Sequence, residues 1–455
     1  MVTARNSGSA RSNPQSHTLA VWANGELVGN WSANDGEHRF QYAESWPVSP
    51  AGRPLSLSLP PTPGNMPHRG DVVRYFFDNL LPDSDTIRRR LRDKFSTGST
   101  DTFDLLAAVG RDCVGAVQLL PPGQEPEGFD RIDAAPLTDA GVEQAIDTAM
   151  TGGRIVGLSE PDDFRISIAG AQEKTALLWH QGQWMRPLGA TPTTHIFKLP
   201  LGLVGNMRAD MSASVENEWL CARLLAALGM PVAECEPAVF GKRKVLVVER
   251  FDRSLQLPPG GNAWLARLPQ EDFCQALGVA GERKYESEGG PGQRAILRQL
   301  DISSRPEVDK LMFVKAQLAF WLMAATDGHA KNFSIFLQRG GGFHMTPLYD
   351  VLSVWPIMGT GPNQVHPRRA KLAMALRSKN VHYHLYEIQT RHWQTLAQQS
   401  GVPGAFDAMV ALVLMVPDAL ERVAAELPDD FPMQVFHAIE RGMLEQAEKF
   451  ITELP

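Results

Sequence analysis

Residues 311–325, LMFVKAQLAFWLMAA, constrain the fold of this chain more than any other stretch, because 13 of the 15 are apolar. A helix with no water-facing side has to run through the middle of a lobe. The loop at the end of such a helix is delivered from a rigid base. Here that loop is Asp327-Gly-His-Ala-Lys-Asn332. An Asp with an Asn five positions later is the spacing kinases use: the Asp orients the attacking hydroxyl or accepts its proton, and the Asn holds Mg²⁺. Downstream, NFSIFLQ and FHMTPLYD read as a hairpin around Gly340-Gly341-Gly342 that returns a second carboxylate, Asp350, to the loop. Hard oxygen ligands of this kind complete a Mg²⁺ site. Six residues in isolation fit an ordinary turn with capping Asp and Asn equally well. The buried helix before them and the hairpin after them favour a site.

Four features upstream fall in a matching order. The run RISIAGAQEKTALL (165–178) reads as strand, turn and strand, and exposed N–H groups in its loop could cradle phosphates. It is not a Walker A loop, since Glu173 precedes Lys174-Thr175 where a glycine belongs and no helix comes after it. With one glycine, an ordinary hairpin is the competing reading. Next, THIFKLP carries Lys198 on a short strand, placed to pair with ATP phosphates or simply to be solvated. The helix SASVENEWLCARLLAALG has Glu216 and Glu218 near its start, where acids suit the helix dipole. One of them, Glu218 being the candidate, is a potential ion-pair partner of Lys198. Finally KVLVVERFDR (244–253) is an apolar strand with a polar break, either a hinge that would meet adenine through its backbone or any buried strand leaving a sheet.

The chain's 455 residues allow two or three domains. A net charge of −7 gives no support for whole-molecule attraction to nucleic acid or anionic membrane. Cys113, Cys221, Cys235 and Cys274 show no C-x-x-C spacing and read as buried free thiols of a reducing compartment. No stretch reaches the ~18 apolar residues of a membrane span. Residues 1–17 lack the apolar core of a signal peptide and read as a disordered tail of a cytoplasmic protein. The Pro-, Gly- and acid-rich segment 120–137 marks a domain boundary.

The runs RISIAGAQEKTALL, PTTHIFKLP, VERFDR, LPQEDFCQALG, KYESEGGPG, ATDGHAKNFSIF, LYDVLS and KLAMAL closely resemble the HipA family, the kinase toxins of HipBA toxin–antitoxin systems. So do RPLSLSLP, FFDNLLPDS and GRDCVGAVQLLP near the N-terminus. The resemblance implies an α+β, bilobal protein-kinase-like (PI3/4-kinase-like) fold. A β-containing N-terminal subdomain would span 18–125, an ATP-binding β-rich lobe 126–251, and an all-α catalytic lobe 252–455. It implies Asp327 as catalytic base, Asn332 and Asp350 as Mg²⁺ ligands, and Lys198 on the ATP phosphates. Ala169, Gly170, Ala171, Gln172, Glu173 and Lys174 would form the nucleotide loop, with Glu249, Arg250 and Phe251 as hinge. His329, Ala330, Lys331, Asn332 and Tyr349 would border ATP, and Ser167 would be autophosphorylated. The implied substrate is an aminoacyl-tRNA synthetase, glutamyl-tRNA synthetase first among them, and the partner a small helix-turn-helix antitoxin like HipB. Since WQTLAQQSGVPGAF (393–406) has no Lys or Arg, operator DNA would be reached only through the antitoxin complex. Two other functions fit the same motifs: a small-molecule kinase of this fold, and a nucleotide-binding corepressor with vestigial catalysis. The intact set Lys198, Asp327, Asn332 and Asp350 argues against the second.

Overall fold

The computed structural model describes residues 17–34, 36–151, 169–170, 172–205 and 207–454. Its first layer is an antiparallel five-stranded sheet in the order His68–Arg69, Glu37–Tyr42, Glu26–Asn34, Thr18–Ala23, Gln118–Leu120. Asn24 and Gly25 both have positive φ (48° and 82°), as the tight turn between the central strands requires. Helices Asp71–Asp78 and Asp85–Phe95 are separated at Pro82, and the Ser84 hydroxyl caps the second by accepting from the Ile87 N–H at 3.4 Å. Trp31, stacked on Phe77 at 3.9 Å, centres the core of this layer. The tail expected over 1–17 is one residue too long. His17 extends the sheet by accepting from the Ala33 N–H at 2.9 Å, and residues 1–16 lie outside the described residues.

The second layer is a six-stranded antiparallel sheet in the order Cys235–Phe240, Arg243–Glu249, His195–Lys198, Lys174–His180, Gln183–Pro187, Ala134–Pro136. Strand alternation divides its faces. Val245 and Val247 join Phe197 and Leu177 under helix Asp139–Thr151, whereas Leu246 and Val248 pack with helix Ser214–Ala227. Lys198 stands opposite both Leu246 and Lys174 in the ladder, so both lysines share the face of the second helix. That parity decides where the chemistry sits.

The remainder is built around helix Pro306–Leu322, which starts on a first-turn proline and is fully buried along its last turns. An all-α lobe is not what forms. Gln270–Asp272, Ser334–Leu337 and Phe343–Met345 make a three-stranded sheet. Arg253–Gln256 pairs with Trp264–Arg267, and Lys371–Arg377 with Val381–His384. Short apolar runs such as KLAMAL lack a period that tells strand from helix, and here cross-strand pairing won. All four cysteines are free, three buried and Cys235 half-buried. Among the described residues no helix is long and apolar enough to cross a membrane.

The first strand of the small sheet holds the N-terminal layer. Glu271, wholly buried, accepts the Leu57 N–H at 2.8 Å through Oε1, with Ser56 also beside the carboxyl. Burial pushes its carboxyl up to about 8. A carboxyl raised on folding contributes stability that is complete below its unfolded value near 4.5 and lost as pH climbs through about 8. Glu271→Gln is therefore expected to flatten the pH dependence of stability between those values. Set against the cost of a partly unpaired amide, a net gain of about 1–2 kcal/mol is expected at pH 9, checked by urea melts at pH 5 and 9.

Candidate active site

Lys198 is 6% exposed, and its ammonium is held by Glu218 Oε1 and Asp350 Oδ1. Helix Ser214–Ala227 turns both Glu216 and Glu218 toward the sheet: Glu218 meets Lys198, while Glu216 pairs with Lys244 on strand Arg243–Glu249 at 2.5 Å. Burial alone would strip the proton from Lys198, but the charges of Asp350 and Glu218 outweigh it and keep the lysine protonated. Asp350 is likewise raised by burial and pulled back to about 2 by Lys198 and Lys174, so it stays ionised. Burial pushes Glu218 up even against Lys198, leaving Asp350 as the firmer anion.

Asp350 has φ of +59°, a left-handed conformation that Asp tolerates at a cost of about 1–3 kcal/mol. Its surroundings impose this. Asn217, on the helix that bears Glu218, donates to Ser353 O at 2.8 Å and accepts from Ser353 N at 2.9 Å. The Ser353 hydroxyl donates to Met323 O at 2.6 Å, at the end of the central helix. These bonds draw the chain after Asp350 against both elements.

The central helix ends in a left-handed Ala324 with a 2.7 Å bond from Ala325 N to Phe320 O, and releases the chain into Asp327. Gly328 cannot carry a side chain, because a Cβ there would lie 2.4 Å from the Phe320 ring. The Asp327 carbonyl accepts from His329 N and from Asn332 Nδ2, both at 2.8 Å. The Asp327 carboxyl remains half open at the cleft mouth (53% exposed) and accepts a hydrogen bond from the Tyr285 hydroxyl. Walled in by protein around that opening, it is pushed above the ordinary carboxylate range. His329 is buried with no hydrogen bond to either ring nitrogen among the described residues, and burial followed by Lys284 repulsion lowers it to about 3, so its ring is neutral.

These groups line one cleft of about 220 Å³. Ala169, Gly170, Gln172, Lys174, Lys198, Glu218, Glu249, Phe251, Asp327, His329, Lys331, Asn332, Tyr349 and Asp350 all border it. Gly170 has φ of +111°, and a Cβ there would press on the Lys174 ammonium at 2.6 Å. Burial lowers that ammonium to about 8, a shift Lys198 reinforces. Two expectations need correction. Glu173, one residue out of step with Lys174 on the strand, turns away and pairs with Arg90. Ala330 is buried off the cleft wall. Arg250 also borders the cleft, with its guanidinium directed into the protein, to Asp252, Asp112 and Cys113 O. Ala171 and Ser167 lie outside the described residues.

The sequence also left out residues that the fold brings in. Asp83 sits between Lys331 at 2.7 Å and Lys284 at 2.8 Å, and its N–H donates to Gly170 O at 3.1 Å. Burial would raise its carboxyl, yet the two lysines hold it well below the usual range. The signals that could have drawn attention to them are the runs that hold them, KYESEGGPG for Lys284 and Tyr285 and FFDNLLPDS for Asp83.

The donors suit a hard divalent cation. Asp350 is ionised, and Asn332 donates an N–H to Asp327 O, with no hydrogen bond to its carbonyl oxygen among the described residues. Among the described residues no group of three or more His, Cys, Asp or Glu could form a metal cage. Two protein oxygens, with phosphate and water completing the shell, are how Mg²⁺ is commonly held.

Residues 166–429 match the family described as HipA-like C-terminal domain, and residues 19–120 the HipA N-terminal domain. "Putative kinase Y4mE" of Sinorhizobium fredii is 35% identical over 90% of this chain and 93% of its own length. Serine/threonine-protein kinase toxin HipA of Shewanella oneidensis is 29% identical over 74% of this chain and 75% of its own. The Shewanella oneidensis HipA solved with HipB and operator DNA superposes with a TM-score of 0.75, at 24% identity, over 95% of this chain and 97% of that one.

Proposed function

Since the chain belongs to the HipA family, we propose that it is the kinase toxin of a toxin–antitoxin pair, transferring the γ-phosphoryl group of ATP to a serine or threonine hydroxyl of a protein. The observation that carries this is the convergence of Asp327, Asn332, Asp350 and the Lys198–Glu218 pair on one cleft. Asp327, with a carboxyl raised above the ordinary carboxylate range by its enclosure, is suited to take the proton of an attacking hydroxyl. Lys198 supplies a fixed positive charge for the α- and β-phosphates, and Lys174 on the next strand a second one. Ile196, Val248 and Leu352 give the adenine side of the cleft apolar walls, with Phe251 and Tyr349 packed together at 5.7 Å beside them. Mg²⁺ on Asn332 and Asp350 would neutralise charge on the transferring phosphates.

The finer assignments rest on the family. The substrate is an aminoacyl-tRNA synthetase, glutamyl-tRNA synthetase first, and its modification stops charging and growth. The partner is a HipB-like helix-turn-helix antitoxin, with operator DNA bound through the complex, in the cytoplasm. Ser167 is the autophosphorylation site: roughly −1.5 to −2 charges there would repel ATP phosphates from the adjacent loop. The bound assembly of the Shewanella protein supports the antitoxin assignment.

Incubating the protein with γ-labelled ATP, Mg²⁺ and cell extract is expected to place label in a protein band, and EDTA to abolish it. Label found only in small molecules would shift the assignment to a small-molecule kinase.

A further inference from the structure

Tyr285 reaches Asp327 at the mouth of the cleft from a turn that has no part in the chemistry above. Its hydroxyl donates to Asp327 Oδ1, and among the described residues no other group hydrogen-bonds that carboxyl. The ring stands edge-on to His329, with centroids 5.0 Å apart at 85°. Because the Asp327 backbone is already pinned through its carbonyl, only the side-chain torsions remain free. Tyr285 sets them.

The turn is stiff. Glu288 N and Gly290 N both donate to Tyr285 O, at 3.0 and 2.9 Å. A Cβ on Gly290 would lie 2.0 Å from Arg283 O, so the chain crosses itself closely there. Glu286 anchors the turn to strand Lys371–Arg377 through Ala375 N at 2.7 Å and the Arg377 guanidinium. A tyrosine has only two soft torsions, so holding its hydroxyl in place costs little entropy.

An O–H donating to the catalytic carboxylate is the contact a substrate hydroxyl has to make. We infer that Tyr285 is a positioning residue that holds the acceptor place on Asp327 until a substrate serine or threonine displaces it, fixing the carboxylate and keeping water from that place. The inference rests on the kinase function proposed above. In productive transfer the substrate oxygen bonds to the γ-phosphorus, its proton passes to Asp327, and ADP leaves with the electrons of the broken P–O bond. Without the phenol hydroxyl, water takes the acceptor place and the same bond changes give ADP and inorganic phosphate.

The test compares the full chain with Tyr285→Phe and Asp327→Asn, each supplied with ATP and Mg²⁺. Phosphate release is measured without an acceptor, and label incorporation with cell extract. Tyr285→Phe is expected to raise phosphate release about 3- to 10-fold and to lower incorporation about 10-fold, with KM for ATP unchanged. A merely structural role lowers both together and leaves their ratio unmoved, and that outcome overturns the inference. If the unaltered protein neither releases phosphate nor labels protein, the kinase function itself falls, and this inference with it. An active wild type with an unmoved ratio removes only the role of Tyr285.

Discussion

Asp327→Asn is expected to lower phosphate incorporation into protein by about 10²- to 10⁴-fold, the contribution usual for a positioned general base. Affinity for ATP should change little, because Asp327 makes no contact with the Lys198–Glu218–Asp350 group that would hold the phosphates. Stability should not fall either. The carboxyl is raised by its enclosure in the cleft, so a neutral amide loses nothing there, and its oxygen can still accept from Tyr285. The discriminating result is thus a large loss in turnover with ATP binding and urea midpoint preserved. Growth arrest on expression without antitoxin should disappear with it. A variant that keeps more than a tenth of the activity, or full toxicity, would remove Asp327 from the base role and favour a binding protein with vestigial chemistry.

How much of this site the sequence disclosed, and how much it concealed, depends on how local the governing physics is. The apolar run, the loop after it and the hairpin to Asp350 are encoded in consecutive residues, and their patterns are legible one segment at a time. Glu218 was the candidate partner of Lys198, but the pairing of Glu216 with Lys244 could not be read, because both acids meet one sheet face and strand order decides which lysine each reaches. Glu173 reads as part of a phosphate loop until the strand begins one residue later and alternation turns it toward Arg90. Asp83 is 248 positions from the lysine it holds, and Asn217 is 136 from Ser353. Contacts of that separation leave no periodicity to read. The strands placed inside a lobe expected to be helical were hidden for a related reason: they are short, and a partner strand rather than a local pattern makes them strands.

Asp112→Asn is expected to cost about 3–5 kcal/mol of stability at pH 7, the usual penalty for leaving buried charge uncompensated. Asp112 belongs to the N-terminal layer, yet it lies among three guanidiniums from beyond it: Arg253 at 2.9 Å, and Arg250 and Arg267 each at 3.3 Å. Asp252 is the other anion, held by Arg250 at 2.9 Å and Arg253 at 3.0 Å. All five groups are buried or nearly so, and three cations balanced by two anions become three against one in the variant. Thr193 donates to Asp112 from both its N–H and its hydroxyl, and an amide cannot accept from all of these donors. Burial would raise the Asp112 carboxyl, but Arg253, Arg250 and Arg267 hold it far below the usual range. A carboxyl depressed on folding adds stability above its unfolded value, near 4, that is lost as pH falls below it. The gap between wild type and variant should therefore be widest at neutral pH and narrow in acid. Glu37→Gln serves as control, since Glu37 and its partner Arg69 are both more than half exposed and such pairs contribute about 0–1 kcal/mol. If urea melts cannot separate Asp112→Asn from that control, the cluster does not fasten the N-terminal layer to the Glu249–Phe251 segment. If they do, Arg250 ties the backbone of that segment from behind, while Glu249 and Phe251 border the cavity.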